Sequence, residues 1–181
     1  MKEISIPLSD EMISSLNMGD MVYLSGKLYT ARDAAHKKLA ELIEAGEKLP
    51  FDFAGQAVFY AGPAPAKPGR PIGSVGPTTA GRMDLYSPLL ISKGLKVMIG
   101  KGLRRAEVVD AIIKYQGIYF AATGGVAALL ARCVKSSRLI AFEELGTEAV
   151  RELTVERLPL VVAIDSRGRN LYTAGRLEYG R

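Results

Sequence analysis

The chain has 181 residues, 48% hydrophobic and 24% charged, a composition typical of a globular protein with an apolar core. No apolar stretch reaches the roughly 18 residues needed to cross a bilayer, and the charged, alternating amino terminus is unlike a signal peptide. The net charge of +5 suits an anionic substrate, an acidic partner or nucleic acid, but there is no long basic run and no aromatic ribonucleoprotein motif. We therefore expect a cytoplasmic protein that binds neither a membrane nor nucleic acid.

The first sixty residues predict strands around one clear helix. EISIP predicts a strand, and Ser9 or Asp10 begins a short helix after it. Residues 19–31 predict two short strands joined by a tight connection at Ser25–Gly26. Apolar residues then recur at helical spacing in ARDAAHKKLAELIEAGEKLP, and a glycine and a proline end that helix. QAVFYAG is rich in β-forming residues and predicts the next strand.

The middle of the chain combines a long loop with alternating elements. Residues 63–77 are so rich in proline and glycine that no regular structure is expected there, and loops of this length are often functional. AGRMDLYSPLLISKG predicts a helix disturbed at Pro88, and KVMIGKG predicts a buried strand. RRAEVVDAIIKYQG predicts an amphipathic helix with Arg104 and Arg105 on an exposed face.

The remaining segments complete the prediction of one domain. IYFAATGG predicts a strand, GVAALLARCV a helix entered through two glycines, and residues 136–168 three strand-rich segments. NLYTAGRLEYGR predicts an edge strand or a tail. No internal repeat or shift in composition divides the chain. We therefore predict a single domain over residues 1–181, an α/β layered fold with a mixed sheet.

The numbers of cysteines and histidines restrict metal chemistry. Cys133 is the single cysteine and His36 the single histidine, so the chain has no disulfide framework. A zinc or iron–sulfur site takes several such ligands, which this chain alone cannot supply. Cys133 is predicted as a buried structural thiol, and His36 lies beside the core or in solvent. Any metal that the protein uses is therefore expected on another chain.

The stretch SVGPTTAGRMD is the strongest local signal of a binding site. Pro77 disfavours a helix at the preceding glycine, and Thr78 or Thr79 is a suitable N-cap for a helix that follows. Free N–H groups at such a helix start bind carboxylates or phosphates, and Arg82 one turn later adds a guanidinium fork. A plain helix cap with Arg82 on the surface explains the same residues.

Two further cations are candidates for binding an anion. Lys101 lies between two glycines just past a predicted buried strand, where α/β sheets tend to bind ligands. A loop lysine between turn glycines is the alternative. Arg32 begins the clearest helix, where an arginine opposes the helix dipole unless it has a partner.

Taken together, these motifs resemble a known family. TARDAAHKKL, VFYAGPAP, GSVGPTTAGRMD, MIGKG, TGGVAALLA and AFEELGTEAVRELTVERLPLVVAID resemble, in this order, the β subunit or C-terminal domain of class I fumarate hydratases. The oxygen-sensitive tartrate dehydratase β subunit belongs to the same family. The resemblance runs from about residue 3 to residue 173, and GPTTAGRMD is its most specific part. It implies a swivelling β/β/α domain and reversible addition of water to a dicarboxylate double bond.

The resemblance also implies roles for individual residues. Arg32, Arg82 and Lys101 resemble the family's ligands of the substrate carboxylates, and Thr78 matches the residue proposed to act in proton abstraction. A threonine hydroxyl is a very weak base at neutral pH, so the role of Thr78 needs an activating group. The resemblance implies that the α subunit supplies this group.

The family's 4Fe-4S cluster is held by three cysteines of the α part, and the one cysteine of this chain does not fit that pattern. The resemblance therefore implies a hetero-oligomer in which a cysteine-bearing α subunit holds the cluster. The favoured function is reversible hydration of fumarate to (S)-malate by that complex. The β subunit of L-tartrate dehydratase is the near alternative, because both substrates are C4 dicarboxylates. A stand-alone anion-binding or regulatory module is the alternative of another class.

Overall fold

The computed structural model describes residues 1–180, which form one sheet with helices packed on it. Within these residues the strands are β1 (Lys2–Ser5), β2 (Met21–Thr30), β3 (Ala57–Phe59), β4 (Val97–Gly100), β5 (Ile118–Ala121), β6 (Val134–Ala141) and β7 (Val150–Ile164). The α-helices are α1 (Asp10–Ser15), α2 (Asp33–Glu44), α3 (Ser87–Ser92), α4 (Ala106–Tyr115), α5 (Ala127–Arg132) and α6 (Leu171–Tyr179). Short 3-10 helices span Ala80–Met83 and Glu143–Glu148. None of the helices described could span a bilayer.

The sheet closes on itself into a barrel-like arrangement. Strands β2, β3, β4 and β5 lie side by side and run parallel. Strand β7 runs antiparallel to both β5 and β2 and so joins the two sides of this row. Strand β1 pairs with the first half of β2, and β6 pairs with the first half of β7. The predicted mixed α/β sheet is confirmed, and the carboxyl ends of β2 to β5 meet at one rim.

The central strands are buried on both faces because successive side chains of a strand point to opposite sides. Phe59 and Ile99 belong to one apolar core, whereas their neighbours Val58 and Met98 belong to the other. Helices α1 and α5 contribute to the first core, and α2, α3 and α4 contribute to the second. This double burial explains the continuous apolar run in KVMIG.

Strands β2 and β7 are longer than the sequence predicts. The two short strands predicted around Ser25–Gly26 are one strand with a bulge between Leu24 and Gly26. Gly26 has a φ of +114°, and a Cβ there would lie 2.9 Å from the carbonyl oxygen of Ile6. The glycine thus marks a bulge and not a strand end. Likewise, two segments predicted as separate strands form the single strand β7, which runs through Pro159.

The segment predicted as an edge strand or tail is the helix α6, so that prediction is wrong. The side-chain oxygen of Asn170 accepts a hydrogen bond of 3.0 Å from the backbone N–H of Tyr172. This contact is an N-cap, which satisfies one of the free N–H groups at the helix start. Tyr172 packs against the second core and anchors the helix. The asparagine was the sequence signal for this helix.

Candidate functional site

The predicted site residues lie on segments that end at one rim of the sheet. Arg32 follows β2, Lys101 follows β4, and the glycine turn at Gly124 follows β5. Thr78 reaches the same rim on a segment inserted after the long loop. The structure thus places Arg32, Lys101 and Thr78 at one edge of the sheet, where α/β sheets tend to bind ligands.

Residues 78–80 fill the gap between the ends of β3 and β4. The N–H of Thr78 donates a hydrogen bond of 2.6 Å to the carbonyl oxygen of Tyr60. The N–H of Lys101 donates to the carbonyl oxygen of Thr78 at 3.2 Å, and the N–H of Ala80 donates to that of Lys101 at 2.8 Å. The backbones of Thr78 and Lys101 are therefore directly joined. The Thr78 side chain is half-buried, and this residue's hydrogen bonds are made by its backbone.

The side chain of Lys101 crosses the glycine turn after β5. A Cβ on Gly124 would lie 3.8 Å from both Cδ and Nζ of Lys101. On the other side, a Cβ on Gly100 would lie 2.9 Å from the Tyr60 ring, so the end of β4 packs this closely only with a glycine there. Lys101 is exposed, and within residues 1–180 it takes part in none of the ion pairs.

Arg32 occupies the N-cap of α2 and has the partner that this position requires. Its terminal nitrogen Nη2 lies 3.0 Å from Oε1 of Glu148. The other oxygen of Glu148 accepts the N–H of Ala34 at 3.2 Å, so the carboxylate both caps the helix and balances the arginine's charge. The Nε of Arg32 is buried and has no hydrogen-bond partner among the residues described. An unpaired buried donor is costly, so this edge of Arg32 suits an acceptor atom of a ligand.

The helix that the sequence predicts after the two threonines is formed only in part. Ala80–Met83 form one 3-10 turn, with Thr79 at its N-cap and no side-chain capping bond, and the α-helix α3 begins only at Ser87. The N–H of Ala80 already donates to the carbonyl oxygen of Lys101. A helix-start anion site in this turn is therefore not supported, and what the motif offers a ligand is its side chains.

Arg82 is exposed, and the carboxylate nearest to it in the sequence, that of Asp84, has another partner. Asp84 accepts hydrogen bonds from Nε of Arg104 at 2.6 Å and from the backbone N–H of Arg105 at 2.7 Å. Arg104 is buried, so its predicted place on an exposed helix face is wrong, and it also donates to Oγ of Ser87 at 2.8 Å. Removing one member of such a buried pair costs about 3–5 kcal/mol. The pair therefore fixes the turn that carries Arg82 but leaves the charge of Arg82 free.

Burial makes both Cys133 and His36 unsuited to a reaction at the protein surface. The Cys133 thiol is half-buried, less so than predicted, and burial raises its pKa, which disfavours the reactive thiolate. His36 is fully buried in the core, with its ring against that of Tyr60 at a centroid distance of 5.1 Å. Nδ1 of His36 lies 2.9 Å from the carbonyl oxygen of Arg32. Burial lowers the pKa of His36 to about 4, so the imidazole is neutral at pH 7.

We expect His36 to make the folded protein less stable as the pH falls from 6.5 towards 4. The unfolded chain binds a proton at this histidine near pH 6.5, whereas the folded chain binds it only near pH 4. The free energy of unfolding should therefore be about 2 kcal/mol lower at pH 5 than at pH 7.5. Urea unfolding at these pH values measures the difference. In His36→Asn, which cannot titrate there, the difference should shrink by that amount, and an unchanged slope would contradict the assignment.

The rim is an open surface, and two grooves of the protein border the long loop beside it. One groove of about 390 Å³ lies between residues 63–72 and Thr147, and another of about 420 Å³ lies between that loop and α5. Neither of these two is lined by Thr78, Arg82 or Lys101. The cations thus face solvent on one side, which leaves room for a covering partner.

The described residues do not fit an iron–sulfur cluster. Between residues 1 and 180 no three His, Cys, Asp or Glu side chains come together as a metal site. The sequence supplies one cysteine, and it lies half-buried at the end of α5.

The structure is thus a mixed α/β domain with a closed sheet, and cationic side chains follow the carboxyl ends of two of its parallel strands. The chain belongs to the family described as the fumarase C-terminus, whose model matches residues 2–175. The family resemblance of the sequence motifs is thereby confirmed.

The relatives fall into two kinds that differ in length. The chain is 42% identical over 174 residues to the anaerobic class I fumarate hydratase of Escherichia coli K12, covering 95% of this chain and 31% of that enzyme. It is 42% identical over 171 residues to a putative L(+)-tartrate dehydratase subunit beta of Methanocaldococcus jannaschii, covering 91% of this chain and 88% of that subunit. The L(+)-tartrate dehydratase subunit beta of Escherichia coli K12 is 34% identical over 175 residues, covering 94% of this chain and 86% of that subunit. The chain thus spans about a third of the fumarate hydratase but most of each β subunit.

Proposed function

We propose that this protein is the β subunit of a heteromeric 4Fe-4S hydro-lyase and supplies carboxylate-binding residues for the reversible hydration of fumarate to (S)-malate. The observation that carries the proposal is the junction of the Thr78 and Lys101 backbones at the rim that also bears Arg32. The family membership supports a hydro-lyase, and the match to most of two β subunits supports a separate subunit.

Within this proposal, the three cations bind and orient the dianionic substrate. Arg82 and Lys101 are exposed and outside the ion pairs of residues 1–180, so their charges are available to carboxylates. Arg32 offers its unpartnered Nε, while Glu148 holds the other end of the guanidinium. Together the cations would also stabilise negative charge that develops on a carboxylate during the reaction.

Thr78 is proposed as the residue that takes part in proton abstraction. Its half-buried position beside Lys101 supports a place next to the substrate. A threonine hydroxyl needs an activating base, and the hydrogen bonds of Thr78 described here come from its backbone. The activating group is therefore assigned to the α subunit.

The cluster, the partner and the location belong to the same proposal. A cysteine-bearing α subunit would hold the 4Fe-4S cluster, since this chain has one cysteine. It would cover the open rim and form a cytoplasmic hetero-oligomer. We further assign residues 1–181 to a single domain of the swivelling β/β/α type, which is compatible with the closed mixed sheet. No contact with a membrane or with nucleic acid is proposed.

Dehydration of L-tartrate is the second candidate function. The specific observation in its favour is that two tartrate dehydratase β subunits match this chain over 88% and 86% of their length. The residues at the rim are suited to the carboxylates that both substrates share. The proposal therefore leads to a direct comparison of the two substrates.

The isolated protein is expected to show neither hydratase activity nor iron–sulfur absorbance, whereas its complex with the α subunit should show both. Anaerobic co-expression with candidate cysteine-bearing partners, followed by assays on fumarate, malate and tartrate, makes this test. Activity of the lone chain would contradict the subunit proposal. A stable monomer that binds dicarboxylates but captures no partner would favour a stand-alone anion-binding module.

A further inference from the structure

The loop that carries Lys101 is held in place by tyrosine hydroxyls from two distant elements. The N–H of Gly102 donates to the hydroxyl oxygen of Tyr172, in α6, at 2.9 Å. The hydroxyl of Tyr119, in β5, donates to the carbonyl oxygen of Gly102 at 3.1 Å. Burial raises the pKa of Tyr119 well above its usual range, so its hydroxyl keeps the proton that it donates.

The peptide bond between Lys101 and Gly102 consequently has both polar groups bound. Its carbonyl oxygen accepts the N–H of Ala80, and its N–H donates to Tyr172. Gly102 has a φ of +85°, a conformation that glycine adopts readily, so this loop depends on outside contacts to remain in one state. Tyr172 is the contact made by the carboxyl-terminal helix, 70 residues further along the chain.

Tyr119 connects this loop to the segment that carries Arg82. The guanidinium of Arg104 lies over the Tyr119 ring at 4.9 Å, a cation–π contact. Arg104 is in turn paired with Asp84, two residues after Arg82. The segments that bear the two exposed cations are thus fixed to one buried network, and Tyr172 attaches to that network from outside.

We propose that Tyr172 is a positioning residue, which holds the loop that presents Lys101 to the anionic substrate. This inference rests on the proposed function, because Lys101 must bind a carboxylate for its position to matter. A side chain already held in its bound position loses less conformational freedom on binding. Tyr172 therefore acts through Lys101 on substrate affinity.

Tyr172→Phe tests the inference in the reconstituted complex. The variant keeps the ring that packs on the core and removes the hydroxyl, so KM for the dicarboxylate should rise about 3- to 10-fold with little change in kcat. Tyr179→Phe, on the same helix and 77% exposed, is the matched control and should leave KM unchanged. An unchanged KM in Tyr172→Phe, with the wild-type complex active, would overturn the inference and leave the proposed function standing.

A double-mutant cycle separates positioning from simple stabilisation of the fold. In a Lys101→Met background, Tyr172→Phe should cause no further rise in KM, because the residue through which it acts is gone. An equal rise in both backgrounds, accompanied by a lower Tm, would reduce Tyr172 to a structural role and overturn the inference. If the wild-type complex acts on neither fumarate nor tartrate, the proposed function fails and the inference fails with it.

Discussion

Replacing Lys101 by methionine in the reconstituted complex is expected to lower kcat/KM by about 100- to 1,000-fold, the effect of losing a close charge contact of about 3–4 kcal/mol. Methionine approximates the length of the lysine stem but carries no charge. Lys101 is exposed and takes part in none of the ion pairs within residues 1–180, so its charge serves no other contact there. The loss should therefore appear in catalysis and not in stability. Steady-state kinetics and thermal unfolding of the same preparations measure both.

Lys93→Met is the matched control for this substitution. Lys93 is also exposed and follows α3, where it is the C-cap residue. Its replacement removes the same charge from the protein but not from the rim, so kcat/KM should stay within a factor of about two. An equal loss in both variants would mean that Lys101 acts only through the net charge that attracts the anion. An unchanged kcat/KM in Lys101→Met would remove the residue from the site.

The position of Lys101 at the edge of the sheet could be predicted from the sequence because it depends on a local pattern. A buried strand followed by Gly-Lys-Gly predicts that Lys101 lies where the chain leaves the sheet, and the structure places it directly after β4. The requirement for a partner at Arg32 also followed from its place at a helix start, where a positive charge is unfavourable. These predictions needed only the residues next to each candidate.

The residues that form the closest ion pairs with Arg32 and Arg104 could not be predicted, since they lie far from these arginines along the chain. Glu148 meets the first turn of α2 across 114 residues, and Asp84 meets Arg104 across 20. Arg104 was expected in solvent because its charge normally excludes it from a core. The backbone hydrogen bonds between residues 78–80 and Lys101 bring the turn after Arg82 to the end of β4, which makes a buried pair possible there.

The errors in secondary structure have similar physical causes. A glycine in β2 indicated a turn, but strand β7 pairs with β2 along its length and makes a bulge the better solution. Asn170 is compatible with a turn or with an N-cap, and the packing of Tyr172 on the second core decides for the helix. Long-range contacts thus determine which of the locally possible structures, a bulge or a turn in β2 and a helix or a turn at Asn170, is formed.

Arg82→Lys in the reconstituted complex is expected to lower kcat/KM at least about 10-fold, although the charge is kept. The planar guanidinium can donate two parallel hydrogen bonds to one carboxylate, whereas an ammonium group acts as a point charge. Arg82 is suited to this contact because the neighbouring carboxylate of Asp84 is taken by Arg104. Arg82→Met, which removes the charge as well, should lose about another 10-fold.

Arg176→Lys, at an exposed position of α6 and outside the candidate site residues, is the control that makes the same chemical change elsewhere in the protein. It should leave kcat/KM unchanged, so a loss confined to Arg82→Lys identifies a contact that depends on the shape of the guanidinium. Full activity in Arg82→Lys together with a large loss in Arg82→Met would instead indicate a purely electrostatic contact. Because the Asp84–Arg104 pair holds the turn independently of Arg82, all these variants should fold with unchanged Tm. A lowered Tm in Arg82→Lys would contradict that independence and assign the residue to the fold.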